Sequence, residues 1–131
     1  MPRRRRGWAM NGHHGENQDI HSPLTTSILE PTLLLLVSQK SSHGYNLLNE
    51  LDQYRMGSIH PSIVYRVLRE MEGLGWIRST WDVDETQGPP RRNYEITVLG
   101  TQALQHWRKQ LEQHRDLIEE LLTKINSDLI K

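Results

Sequence analysis

Between residues 61 and 75 apolar side chains fall at Val64, Val67, Leu68, Met71 and Leu74, the i, i+3, i+4, i+7 spacing of a helix with one buried face. Pro61 suits a first helical position and Gly75 a left-handed stop, so the spacing predicts a helix bounded within the segment. Upstream, Ile28, Leu29, Thr32, Leu33, Leu36 and Val37 mark another buried helical face. Ser22 and Pro23 offer an earlier cap and first position, and Pro31 puts the start of the main helix near itself. SSHGY, residues 41–45, reads as a turn punctuated by Gly44, leading into a short helix with Leu47, Leu48 and Leu51 on one side. Polar and apolar residues then alternate in WIRSTWDVD (76–84) and in RNYEIT (92–97), the two-residue period of strands. The joining stretch ETQGPPR makes the pair a hairpin with a long tip. From Val98 to Ile130 the helical period returns unbroken. There Leu104, Trp107, Leu111, His114, Ile118, Leu121 and Ile125 recur at alternating steps of three and four, the 3.5-residue repeat of a helix lying lengthwise along another.

Three short helices, a hairpin and one long helix give an α+β, mainly helical fold. The second and third helices form a helix-turn-helix, and the hairpin after them stands where a wing would. Such a core has no groove long enough for thirty residues of apolar seam, so a second copy of the chain is expected to cover it. The expected divisions are a mobile basic arm at 1–23, a winged-helix domain at 24–97 and a dimerisation helix at 98–131.

Charge changes this picture only when it is placed along the chain. Sixteen basic and sixteen acidic residues cancel, yet Arg3, Arg4, Arg5 and Arg6 stand together in the first 22 residues, leaving 12 basic against 14 acidic residues in 23–131, a balance of −2. A cationic arm on a faintly acidic body is expected, either a disordered charge tract or an arm that tracks DNA. On the third helix, Ser62, Tyr65, Arg66 and Arg69 fall opposite the apolar stripe, spaced to form one exposed row. That row is either a solvated face or a DNA-contacting ridge. Glu70 and Glu72 beside it narrow the expected footprint. In the wing tip, Pro89 and Pro90 stiffen the loop, Gly88 allows a tight reversal, and Arg91 and Arg92 are held at a fixed place. These arginines can reach phosphate, or pair with Asp82, Asp84 and Glu85 of their own hairpin.

Other chemistries are poorly supported. No cysteine is present, which excludes disulfides, thiolate nucleophiles and zinc sites of the Cys type. His13, His14 and His21 with Glu16 are suitable transition-metal ligands, but a His-rich arm without a scaffold is the simpler account, and no metal or cofactor is expected. No nucleophile elbow or Gly-rich phosphate loop occurs, so an enzyme is not expected. LLLLV at 33–37 is too short to span a bilayer and no secretion signal opens the sequence, so a cytoplasmic protein without membrane contact is expected. The chain holds only 35% hydrophobic residues and no Phe, which again favours assembly with a second copy.

The stretches HGYNLLNEL, PSIVYRVLREMEGLGWIRSTWD and GPPRRNYEITVLGTQAL together resemble PadR-type winged-helix transcriptional regulators over roughly residues 28–130. The resemblance lies in an HGY turn, a Tyr-Arg pair before a Leu-Gly stop, a Trp-Asp strand, a GPxR wing tip and a Tyr-x-Ile-Thr strand. Within that family the chain is similar to the short form with a single C-terminal helix, and to polyhydroxybutyrate-responsive repressors, which share an LEP-type leading segment and the pattern of HWRKQLEQ. The resemblance implies a homodimeric repressor that binds a palindromic operator in double-stranded DNA and releases it when a small effector binds or the dimer geometry shifts. It adds Tyr45 of the HGY turn, with Gly88, Pro89 and Pro90, to the expected DNA contacts. It also makes Trp107 and Trp81 candidate effector contacts, against the plain reading that an aromatic residue on a seam is packing. His114 on the seam is either a hydrogen-bonded polar position that fixes register or a proton-driven switch. One departure stands out: the family commonly carries Gly-Thr-Leu-Tyr or Gly-Thr-Val-Tyr leading into the recognition helix, where this chain has Ser62-Ile63-Val64-Tyr65. The competing expectation is a winged helix that binds a protein and not DNA.

Overall fold

A computed structural model of the protein describes residues 23–39, 42–82 and 91–130. The arginine and histidine residues of the N-terminal arm and the tip residues Gly88, Pro89 and Pro90 lie outside the described residues. Described elements run α1 (Pro23–Ser27), α2 (Leu29–Gln39), β1 (Ser42–His43), α3 (Gly44–Glu50), a 3₁₀ turn (Leu51–Tyr54), α4 (Pro61–Gly73), β2 (Ile77–Asp82), β3 (Arg91–Ile96) and α5 (Val98–Ile130).

The break between α1 and α2 falls at Ile28, and Pro31 sits in the first turn of α2, where an amide N–H has no intrahelical partner and its loss costs nothing. Thr32 donates its hydroxyl to the Ile28 carbonyl at 2.8 Å, closing that first turn. α2 is buried on nearly every side, Leu34 included, because α3, α4, β3 and α5 all pack around it. It is the centre of the fold, and the single face read from its sequence was too narrow. Met56 and Ile59, in the loop before α4, also plug the core at 3% and 2% exposure.

α4 carries its buried stripe as expected, with Val64, Val67, Leu68 and Met71 inside. Leu74 is a correction: it is exposed, because the helix ends at Gly73 and the chain turns through Gly75 at φ +82°. The amides of Gly75 and Trp76 donate to the carbonyls of Glu72 and Met71, both at 3.0 Å, which satisfies the helix end.

The sheet has three strands in the order β1-β3-β2, all antiparallel. β2 and β3 form the expected hairpin, with Ile77 opposite Ile96 at its base and Asp82 opposite Arg91 toward the tip. The third strand was not expected: Ser42 and His43, read as part of a turn, pair with Tyr94 and Asn93. Two residues are too few to show a period.

Thr97 joins the hairpin to the long helix. Its hydroxyl oxygen accepts from the Gly100 amide at 3.0 Å, capping α5, while its hydroxyl donates to the Gly75 carbonyl at 2.6 Å. Gly100 lies so close to the start of β2 that an added Cβ would stand 2.0 Å from the Trp76 carbonyl oxygen. Ala103, Leu104 and Trp107 then pack on the core, and from Leu111 to Leu129 every α5 residue is exposed.

Candidate nucleic-acid interface

α4 begins at a cap made by a histidine. His60 holds an extended backbone, and its unprotonated Nδ1 accepts from the Ser62 amide at 3.1 Å, with the Ser62 hydroxyl at 2.9 Å. Neither Ser nor Asp marks this start in the sequence, and no sequence signal named His60. One turn on, Arg66 is 58% exposed and reaches Glu70 at 3.9 Å, an i, i+4 pair worth at most a few tenths of a kcal/mol. Arg69 is exposed as well.

Tyr65 departs from the expected exposed row. It is half-buried against the core, with its ring laid over the start of α3, where a Cβ on Gly44 would stand 2.9 Å from Tyr65 Cε1. Gly44 is thus not turn punctuation: it is the buried first residue of α3, and its missing side chain lets α3 and α4 cross closely. Tyr45 lies on α3 next to it; its side chain is outside the described residues.

The wing has two faces set by the two-residue period of its strands. Ile77, Ser79 and Trp81 of β2 stand opposite Ile96, Tyr94 and Arg92 of β3, and this face looks toward the core and α4. Arg78, Thr80, Glu95, Asn93 and Arg91 occupy the other, where Arg78 donates to Glu95 at 3.2 Å. Arg91 and Arg92, adjacent in sequence, therefore leave the strand on opposite sides. The Arg92 guanidinium lies 4.7 Å from the centre of the Trp81 ring. It also donates to the Ser79 hydroxyl, which donates in turn to Glu72 of α4 at 2.7 Å. Beneath them Tyr94 is buried. Burial pushes its phenol above the ordinary range, Arg92 and Arg69 pull it back, and Glu72 and Tyr65 push it further. The contacts Arg92 to Ser79 to Glu72 therefore join the wing to α4 directly above Tyr94.

The seven seam residues do not share one environment. Leu104 and Trp107 are partly buried against the core of the chain, and Trp107 Nε1 donates to Glu30 of α2 at 3.1 Å. Leu111, His114, Ile118, Leu121 and Ile125 are exposed, and His114 donates from Nδ1 to the Gln110 carbonyl at 2.8 Å. Two open clefts flank this stretch of α5. One of about 430 Å³ lies between Ile28, Pro31, Leu35 and Leu104, Arg108, Leu111; another of about 570 Å³ lies between Leu24, Ile28 and Trp107, His114, Ile118. Trp81 lines neither: it is on the wing, under Arg92, and is not brought together with Trp107. Among the described residues no group of three metal-binding side chains occurs, and no helix is long and apolar enough to cross a membrane.

Residues 33–106 match the profile of the transcriptional regulator PadR-like family. Among solved structures, the PadR-like transcriptional regulator BC4206 of Bacillus cereus is similar with a TM-score of 0.68 and 25% identity, over 77% of this chain and 97% of that one. TM0937, a conserved protein of unknown function and potential transcriptional factor, is 37% identical with a TM-score of 0.63, over 79% of this chain and 91% of its own. The fold is shared with smu.1704 of Streptococcus mutans, at 23% identity and a TM-score of 0.68, over 79% and 93% of the two chains. No curated protein sequence matches this one. Helix-turn-helix, wing and family profile agree, and the narrower likeness to polyhydroxybutyrate-responsive members is not part of that agreement. The chain belongs to the PadR-like family of transcriptional regulators, DNA-binding proteins and not enzymes.

Proposed function

We propose that the protein is a homodimeric repressor that binds a palindromic operator through α4 and the wing and leaves it when a small molecule binds near Trp107. The observation that carries this reading is that two adjoining elements both present exposed cations: Arg66 and Arg69 on one face of α4, and Arg91 and Arg92 at the tip end of the wing strand β3. α4 is narrow enough for a major groove about 12 Å wide, with Ser62 and Arg66 toward base edges and the wing toward phosphates. Tyr65, held on Gly44, sets the angle of α4 and meets DNA only with its outer edge. Tyr45 and the tip residues Gly88, Pro89 and Pro90 complete the proposed contact surface. Two such units read successive grooves about 34 Å apart when the exposed apolar face of α5 pairs with that of a second copy.

Repression is relieved in this reading by an effector that fits a dimer geometry other than the operator-bound one. A ligand indifferent to the two geometries shifts nothing. The cleft of about 570 Å³ beside Trp107 is mostly apolar and lies where α5 leaves the domain, so a flat apolar ligand there would alter the angle of α5.

Retention of genomic DNA fragments, followed by binding assays on the fragment recovered, tests the reading. Arg66→Ala or Arg69→Ala weakens binding to that fragment by about 1–3 kcal/mol. Leu111→Glu converts the dimer to a monomer in sedimentation. Unaltered DNA retention in an Arg66→Ala, Arg69→Ala double variant refutes the assigned surface; failure to retain any DNA leaves a protein-binding winged helix instead.

A further inference from the structure

Resting on the DNA-binding reading above, we infer that Arg92 is a positioning residue that ties the wing to the recognition helix through Ser79 and Glu72, while Arg91 alone supplies the phosphate contact of this arginine pair. The period of β3 separates the two side chains: Arg92 shares the α4-facing side with Ser79, Trp81 and the buried Tyr94, and Arg91 takes the other. On its side, Arg92 has two direct partners, and one of them passes the contact on to a third residue. The Trp81 ring lies 4.7 Å beneath its guanidinium, the Ser79 hydroxyl accepts from it, and that hydroxyl donates to the Glu72 carboxylate at 2.7 Å.

The chain of contacts crosses from one element to another. Glu72 is on α4, one turn after Arg69, and both Ser79 and Glu72 are partly buried, so the link runs along the crease between helix and wing. A serine hydroxyl that accepts from a guanidinium and donates to a carboxylate is polarised in one direction, which strengthens both bonds. The positive charge of Arg92 is thereby balanced locally by Glu72, and stacking on Trp81 fixes the plane of the guanidinium. A cation balanced within the protein displaces few counterions from DNA. An arginine on the open face displaces about one.

Salt dependence separates the two roles. Binding of the full-length protein to a fluorescein-labelled mixed-sequence duplex of about 30 bp is followed by anisotropy between about 50 and about 200 mM NaCl. Arg91→Ala lowers the slope of log K against log [NaCl] by about 0.9 for each protomer bound. Arg92→Ala and Ser79→Ala weaken binding about three- to tenfold at one salt concentration and leave the slope as it is. Ser79→Thr, which keeps the hydroxyl on a β-strand, restores the affinity, and melting temperatures measured alongside show that each variant is folded. A slope that falls as far in Arg92→Ala as in Arg91→Ala overturns the inference, and so does unchanged affinity in folded Ser79→Ala. Wild-type protein that fails to bind the duplex at any salt concentration overturns the DNA-binding reading itself, and the inference with it.

Discussion

In α4 the apolar stripe Val64, Val67, Leu68 and Met71 is at most 9% exposed, whereas in α5 Leu117, Ile118, Leu121 and Leu122 are 45–53% exposed on a helix of the same regularity. Both stripes follow helical spacing and both are built of aliphatic side chains. The difference lies in what the chain provides to cover them. α4 is covered by α2 and β2; the far half of α5 extends past every other element. A periodic apolar face states that something must cover it and leaves open whether the cover is intramolecular.

Truncating one residue from each stripe sharpens the contrast most. Leu68 is fully buried, so Leu68→Ala costs about 2–5 kcal/mol of unfolding free energy by lost transfer and cavity formation. Leu121→Ala removes the same atoms from a site 53% exposed within the subunit. Its effect is expected in the proposed dimer alone, as a melting temperature that depends more steeply on protein concentration than that of the wild type. Equal, concentration-independent losses in the two variants would mean that α5 is covered within its own subunit.

Where the two regions join, Gly100 breaks the comparison from the other side. An added methyl group would meet the Trp76 carbonyl oxygen at 2.0 Å, and backbone cannot give way as the end of a flexible side chain can. Gly100→Ala should therefore destabilise the winged-helix domain by about 1–3 kcal/mol or more, read by urea unfolding. Because Thr97 caps α5 and anchors it to Gly75, the same variant should also loosen the angle at which α5 leaves the domain and weaken the proposed pairing of two copies.

Much of this arrangement was legible in the sequence, for physical reasons that differ by element. The helices, the hairpin and the left-handed stop at Gly75 declare themselves through period and punctuation, because burial imposes a period and a positive φ selects glycine. The pair Ser42–His43 forms a strand only because β3 is there to receive it. Gly44 looked like a turn residue, since the sequence holds no sign that Tyr65, twenty-one positions later, needs the space. The polar links resisted reading for the same reason. Glu30 to Trp107 and Glu72 to Ser79 to Arg92 join residues from separate elements, and each partner alone has the composition of an ordinary surface. Of the proposed DNA-contacting row, the spacing correctly exposed Ser62, Arg66 and Arg69; it placed Tyr65 on the same face without showing that α3 crosses there.

The smallest expected effect concerns the crease between α4 and the wing. Burial raises the Tyr94 phenol above its ordinary range, so the folded protein holds that proton to a higher pH than the unfolded chain does. The folded state then binds more protons between the two values, and stability must fall as pH rises. Tyr94 contributes fully below about pH 10, where the unfolded phenol is still protonated, and its contribution is lost as pH climbs from there through the raised value. Tyr94→Phe removes this titration, so its unfolding free energy should decline less than that of the wild type between about pH 8 and about pH 11, with the remaining tyrosines and lysines common to both proteins. Parallel declines would mean that water reaches the Tyr94 hydroxyl in the folded protein, and that the crease bridged by Ser79 and Glu72 is open before any DNA arrives.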